Sequence, residues 1–292
     1  MDDIERIRAF NRTVTRRLGV LNEKYLGRDR PLVESRVMFE IGTHGASVRA
    51  LRARLGLDSG FSSRLLRSLE RKKLVRTEPA ACDGRVRIAR LTRPGLAELE
   101  RLNALSNDLA RSMLEPLSGE QSRRLVSAMA EVERLLRASS IELTRADPRS
   151  EDARHCLDRY YEELAARFPG GFELGADDAP AAGEFAPPVG CMMVAHLFGD
   201  PVGCGALRTL APGVGEIKRM WISPQMRGLG IGRRVLEALE QVAKECKLGT
   251  VRLDTNGSLA EALRLYRTSG YREISRYNEN PYAQHWFEKS LS

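Results

Sequence analysis

The sequence predicts two domains of different class: a mainly helical domain over residues 1–138, and an α/β domain with a mixed, mostly antiparallel sheet over residues 139–292. Three observations predict this division. The chain has 292 residues, and at roughly 150 residues per domain two are expected. Charge is partitioned, with 28 Lys+Arg against 18 Asp+Glu in residues 1–138 and 19 against 21 in residues 139–292. Apolar residues keep mostly helical spacing up to Arg137, and beyond it alternating runs interleave with helical ones throughout. Hydrophobic residues at 42% and charged residues at 29% exclude wholesale disorder. No run approaches the roughly 18 apolar residues that span a bilayer, so no membrane partner is expected. The acidic opening Met1–Arg6 lacks the basic and apolar regions of a secretory signal. Five scattered cysteines without a CxxC pair point to a reduced, cytoplasmic protein with neither a disulfide framework nor a zinc site.

The N-terminal surplus of positive charge suits a polyanion; an arginine-rich soluble domain is the bland alternative. Ile7, Phe10, Val14, Leu18 and Leu21 follow the 3.6-residue period and predict a helix over 4–26. A second helix runs through Glu34–Ile41 and is closed by Gly42. A short third helix spans Ala46–Leu55, with Ser47 as N-cap and Gly56 as terminator. Asp58 caps a fourth, from Ser59 to about Lys73, and the tight turn between the last two is a helix-turn-helix layout.

The fourth helix has two faces. Phe61, Leu65, Leu66 and Leu69 define a buried side, while Ser59, Ser62, Ser63, Arg64 and Arg67 lie largely off it. Short hydroxyls and arginines near a helix N-terminus can reach phosphates and base edges, although on an isolated helix they equally form a solvated face. Leu74–Thr77 and Val86–Leu91 alternate as two strands, and Arg85 sits at the tip of the turn between them, where it can enter a minor groove. Thirteen basic and four acidic residues lie between Arg49 and Arg93, so the charge is concentrated on this unit. Two amphipathic helices follow, over 92–115 and 118–137. The run Leu55–Glu70, with Asp83-Gly84-Arg85 and Leu91–Gly95, resembles the MarR family of winged helix-turn-helix transcription regulators over almost this whole half. The resemblance implies a homodimer formed through the first and last helices. It also implies paired recognition helices that read a palindromic operator in double-stranded DNA. Cys82 beside the wing has no partner cysteine and reads as incidental rather than as an oxidant sensor.

In the second half the pattern predicts a strand over 141–145, a helix over 150–168, a mobile loop over 169–188, and strands over 189–198, 202–209 and 216–222. A helix over 230–247, a strand over 250–254, a helix over 259–269 and strands near 271–276 and 284–291 complete it. The β run over 216–222 passes into Gln225–Gly232, a Gly-rich turn that opens a helix. Such a turn aims several backbone N–H groups and the positive end of the helix dipole at one place, which suits a diphosphate. Arg233 occupies the third glycine position of a Rossmann spacing, and no GK[ST] follows, so neither dinucleotide fingerprint nor P-loop is present.

Gln225–Gly230 resembles the (Q/R)-x-x-G-x-(G/A) acetyl-CoA signature of the GNAT acetyltransferases, and Asp254–Ala260 and Leu265–Tyr271 extend the resemblance across residues 139–292. The resemblance implies acetyl-CoA as co-substrate and transfer to a primary amine, that of a small molecule. It implies that backbone groups at Trp221 and Ile222 hydrogen-bond the pantetheine arm. It places Gln225, Arg227, Gly228, Leu229, Gly230, Ile231 and Gly232 around the pyrophosphate, Asn256 near the coenzyme chain, and Tyr266 near the sulfur as acid for the departing thiolate. The amine must lose a proton, and Glu216 on the strand leading into the site is the candidate base, with a salt-bridged role as its alternative. His155, His196 and His285 are too dispersed for a metal site, and no metal is expected. Trp286 reads as core or as the wall of a substrate pocket. The expectation is a chain with both activities; the alternative is a pure regulator whose second domain senses acetyl-CoA or a metabolite without turnover.

Overall fold

The computed structural model describes residues 2–20, 24–80, 86–168, 170–172, 183–188 and 190–291. The chain divides into two compact units, Met1–Glu131 and Val132–Ser292. The division therefore falls inside a helix, seven residues before the 138/139 boundary expected from composition. The last two turns of that helix fall in the second unit, where the Arg234 guanidinium donates to the carbonyls of Ala138 (3.1 Å) and Ile141 (2.8 Å).

The first unit opens with α1 (Asp3–Arg17), started by a capping box in which Asp2 accepts from the Glu5 amide at 2.7 Å and Glu5 accepts from the Asp2 amide at 3.2 Å. It stops well short of residue 26. Gly19 takes φ 62°, and its amide and that of Val20 fold back onto Arg16 and Thr15, a Schellman termination that overrides the apolar period. After α2 (Leu32–Ile41), Ala46–Ser47 form a short strand, β1, and α3 (Val48–Leu55) begins with the Ser47 hydroxyl accepting from the Ala50 amide. Then come α4 (Ser59–Arg71), β2 (Val75–Pro79), β3 (Arg87–Leu91), α5 (Arg93–Leu114) and α6 (Gly119–Ser139). The strands form a three-stranded antiparallel sheet in the order β1-β3-β2. Met38, Ile41, Leu51, Leu69 and Leu102 are central to the core between them. Two buried carboxylates brace it: Glu34 accepts from Ser68 (2.8 Å) and Lys72 (2.6 Å), and Glu98 takes a bidentate pair from Arg28. Neither α1 nor α6 contains a buried residue.

The second unit is built on a seven-stranded sheet, in the order β4-β5-β6-β7-β8-β10-β9. Its strands are β4 (Ile141–Ala146), β5 (Gly190–Leu197), β6 (Asp200–Ala211), β7 (Val214–Ile222), β8 (Thr250–Thr255), β9 (Arg272–Ile274) and β10 (His285–Ser290). Neighbouring pairs run antiparallel except β7 with β8, which are parallel and joined through α8 (Ile231–Glu245). Alternate residues of β5 face opposite ways: Cys191, Met193 and Ala195 pack with Val235 and Leu239 of α8, while Met192 and Val194 pack with Cys156 and Leu157 of α7 (Glu151–Arg167). Helix α9 (Ala260–Thr268) adds Tyr266 to the α8 side. Of the loop expected over 169–188, residues 170–172 and 183–188 are described, and Phe185 is buried in the α7-side core rather than loose.

Gly95 shows how closely α5 approaches Leu74, the residue that leads into β2. A Cβ there would stand 2.0 Å from the carbonyl oxygen of Leu74, a backbone atom that already accepts from the Thr92 amide. Gly95→Ala is expected to destabilise the chain by about 1–3 kcal/mol, the usual cost of overpacking, measured as a lowered midpoint in urea unfolding.

Candidate functional site

Strands β7 and β8 pair only through Val214, Glu216 and the residue between them, opposite Thr250–Arg252. Beyond Glu216 the two strands share no register, and side chains from α7 and α9 line the opening. A bulge accompanies the parting: between the pairs Ala206–Lys218 and Cys204–Trp221, β7 supplies one residue more than β6, and Arg219 takes φ 56°. The Arg219 guanidinium lies over the rings of Tyr161 (5.4 Å) and Phe185 (5.2 Å), donates to the Tyr161 hydroxyl, and has its pKa pushed down by burial.

Two adjoining hollows occupy the opening. The larger is a cleft of about 590 Å³, within the usual range for small-molecule sites. Trp221, Ile222, Arg227, Gly228, Gly230, Ile231 and Gly232 all line it. Gly228 and Gly230 both take φ 75°, and α8 starts with no side-chain cap and no acidic residue in its first turn. Its leading N–H groups therefore have no side-chain acceptor, the state in which a helix N-terminus takes an anion. Gln225 and Leu229 stand outside the lining. Gln225 is exposed and accepts from the Ser223 hydroxyl at 2.5 Å, while Leu229 packs against the α8-side core.

The smaller pocket, about 80 Å³, is bounded by rings from α7 and the neighbouring loops, including Tyr161, Phe168, Phe172 and Tyr282. Asn256 lines this pocket rather than the larger cleft. Its amide nitrogen donates to the Tyr282 carbonyl (2.7 Å) and its oxygen accepts from the Ser258 amide (2.9 Å), so it shapes the wall. Tyr266 lines both hollows, is 5% exposed, and has its hydroxyl pKa raised by burial, then by Tyr160 and Asp254.

Glu216 does not fit the role of base. It is 0% exposed, borders neither hollow, and is taken up by Arg208 (2.7 Å), Lys218 (3.6 Å), the Tyr277 hydroxyl (2.9 Å) and Asn278 (3.3 Å). The salt-bridged alternative is the one realised. Among the described residues, Asp254 is the acid that lines the smaller pocket; it accepts from Lys218 (3.1 Å), Asn278 (2.7 Å) and Asn280 (2.6 Å). Trp286 donates to the Asn278 side chain at 2.9 Å and so braces the same loop. Sequence reasoning passed over Asp254 although it opens the quoted Asp254–Ala260 run, because the asparagines that hold it arrive from a loop more than twenty residues away. Among the described residues no group of three or more His, Cys, Asp or Glu could hold a metal ion, and no helix is long and apolar enough to cross a membrane.

In the first unit, Asp58 caps α4 by accepting from the Phe61 amide at 2.8 Å, and that backbone bond leads the lowering of its carboxyl pKa. Ser59, Ser63, Arg64 and Arg67 are exposed. Ser62 is buried at 3% exposure, so it belongs to the packed side of α4 and is removed from the candidate contact set. Phe61 is only half-buried, with the Arg64 guanidinium over its ring at 5.7 Å. Arg85, like Cys82, lies outside the described residues, although β2 and β3 on either side pair as the expected hairpin.

Comparison with known proteins agrees with both halves. The MarR family model matches residues 28–86, and the acetyltransferase (GNAT) family model matches residues 157–271. The chain joins a MarR-family region to a GNAT-family region. An uncharacterised N-acetyltransferase of Schizosaccharomyces pombe is 33% identical over 100 residues, covering 34% of this chain and 61% of that protein. An IAA acetyltransferase of Azospirillum brasilense is 41% identical over 80 residues, covering 27% of this chain and 52% of that protein. The chain thus spans between half and two thirds of the length of these two relatives. A solved structure of a mutant MarR from E. coli aligns with 43% of this chain and 93% of its own, at 24% identity and a TM-score of 0.39.

Because Glu216 is a buried anion with cationic partners, removing it leaves those charges without their acceptor. Glu216→Ala is expected to cost about 3–5 kcal/mol, seen as a lowered unfolding midpoint.

Proposed function

We propose that the second unit transfers the acetyl group of acetyl-CoA to the primary amine of a small molecule, and that the first binds a palindromic operator in double-stranded DNA as a homodimer. The observation that carries the enzymatic reading is Tyr266, a buried hydroxyl common to the walls of both hollows. The larger cleft suits the coenzyme: the amides from Arg227 to Gly232 face the diphosphate, and the end of β7 at Trp221–Ile222 runs beside the pantetheine arm. The aromatic pocket suits the acceptor. The amine nitrogen bonds to the acetyl carbon as the carbon–sulfur bond breaks, and Tyr266, kept protonated by its raised pKa, gives its proton to the departing sulfur. Asp254 replaces Glu216 as the carboxylate toward which the amine proton is drawn, by way of water.

The DNA-binding reading draws support from Ser59, Ser63, Arg64 and Arg67 on the exposed face of α4, next to the β2–β3 hairpin. Arg85, which falls between β2 and β3 in the sequence, remains part of the proposal. A second copy of the chain is the proposed cover for α1 and α6, which expose Ile4, Ile7 and Phe10, and Val126 and Met129. Amphipathic helices of this kind require an apolar partner.

In a thiol-release assay with acetyl-CoA and a panel of amines, Tyr266→Phe is expected to lower kcat by about 100-fold or more with little change in the KM for acetyl-CoA. Full turnover by that variant would remove the tyrosine from the reaction. Binding to the DNA upstream of the chain's own gene, measured by fluorescence anisotropy, is expected to weaken steeply with salt. Arg67→Ala should cost about 1–3 kcal/mol. Failure to bind at low salt would sink the regulatory reading.

A further inference from the structure

Glu163 lies on α7, outside the strand–turn–helix run that lines most of the larger cleft, yet its carboxylate collects donors from that run. Trp221 Nε1 donates to Oε2 at 3.0 Å, Arg227 Nη2 donates to the same oxygen, and Arg167 Nη1 donates to Oε1 at 2.9 Å. Burial pushes this carboxyl up, but its bonds to Arg227 and Arg167 outweigh burial and leave it below the ordinary carboxylate range. Arg227 is also fixed at a second point, where its Nε donates to the Ile222 carbonyl at 3.0 Å. One guanidinium thus ties the Gly-rich turn both to the last residue of β7 and to α7.

We propose that Glu163 is a positioning residue for the coenzyme turn. It holds Arg227 against the end of β7, so that the amides from Arg227 to Gly232 meet a diphosphate in one fixed arrangement. The inference rests on the acetyl-CoA reading given above. Arginine is long and rich in rotamers, and without a fixed acceptor it surrenders its order, and with it the register between strand and turn. Glu261 of α9 also reaches Arg227, but at 3.3 Å and with 48% of its side chain exposed, against 19% for Glu163. Glu261 is itself committed to Arg167, which holds its pKa at about 2. Glu163 is the stronger hold, and it alone of the two also takes the Trp221 indole.

Calorimetric titration of the full chain with coenzyme A and with pantetheine, which lacks the diphosphate, tests this. Glu163→Gln is expected to raise the Kd for coenzyme A about tenfold, the size typical of losing a group that orients a ligand-binding residue. The Kd for pantetheine should stay within about twofold, because the glutamine oxygen can still accept from the Trp221 indole while the charged hold on Arg227 is lost. Glu261→Gln should show a smaller loss, and Glu163→Gln added to Arg227→Met should cost nothing further, since both remove the same tie. An unchanged Kd for coenzyme A overturns the inference. So does an equal loss toward coenzyme A and pantetheine, which marks general damage to the cleft, or a full additional loss in the double variant. A wild-type chain that binds no coenzyme A overturns the acetyl-CoA reading and this inference together.

Discussion

The second unit depends on the early end of one strand pairing. β7 and β8 are the parallel neighbours of the sheet, and after three register pairs they separate. Continuous pairing would leave room for neither hollow. Where the strands part, residues of β7 beyond Glu216 line the hollows together with residues of α7 and α9, and β7 carries a bulge at Arg219. The turn that follows opens α8 with no side chain across its amides. Both hollows, with Tyr266 in the walls of each, lie where this hydrogen bonding is interrupted.

The ion pairs around this opening differ in purpose from those at its base. Glu216 itself is sealed at the root of the parting, where β7 and β8 are still paired, while its cationic partners Arg208 and Lys218 reach partly into water. A buried anion there is tolerable only because cationic and hydrogen-bonding groups surround it. Glu163, Arg167, Arg227 and Glu261 lie nearer the mouth, partly open to water. They exchange partners within one small group that connects α7, the turn and α9. The first unit shows the same contrast: Glu34 and Glu98 are buried and braced, while the arginines of α4 face outward.

Local features were the legible ones. Asp58 and Ser47 cap the helices that follow them because a cap is written in adjacent residues. The glycines of the turn are legible for the same reason. Ser62 was misplaced because a helix face is continuous: a small hydroxyl beside Leu65, Leu66 and Leu69 can turn inward without breaking the apolar period. Glu216 was misplaced because two of its partners, Tyr277 and Asn278, come from about sixty residues away. Glu163 carries no motif at all, since its significance arises from a helix packing beside a strand end. The break between the units escaped composition because it lies within α6, a helix whose pattern is uniform across it.

That α1 and α6 bury nothing of their own has a consequence for how the chain holds its shape. A lone helix of about fifteen residues is marginal in water, and packing normally supplies the rest. For α1, and for the part of α6 that lies in the first unit, that packing has to come from outside the unit. Under the homodimer reading, part of the fold is a property of the solution rather than of the single chain. Dilution alone should then lower its resistance to heat, and a ligand that favours the paired form should raise it.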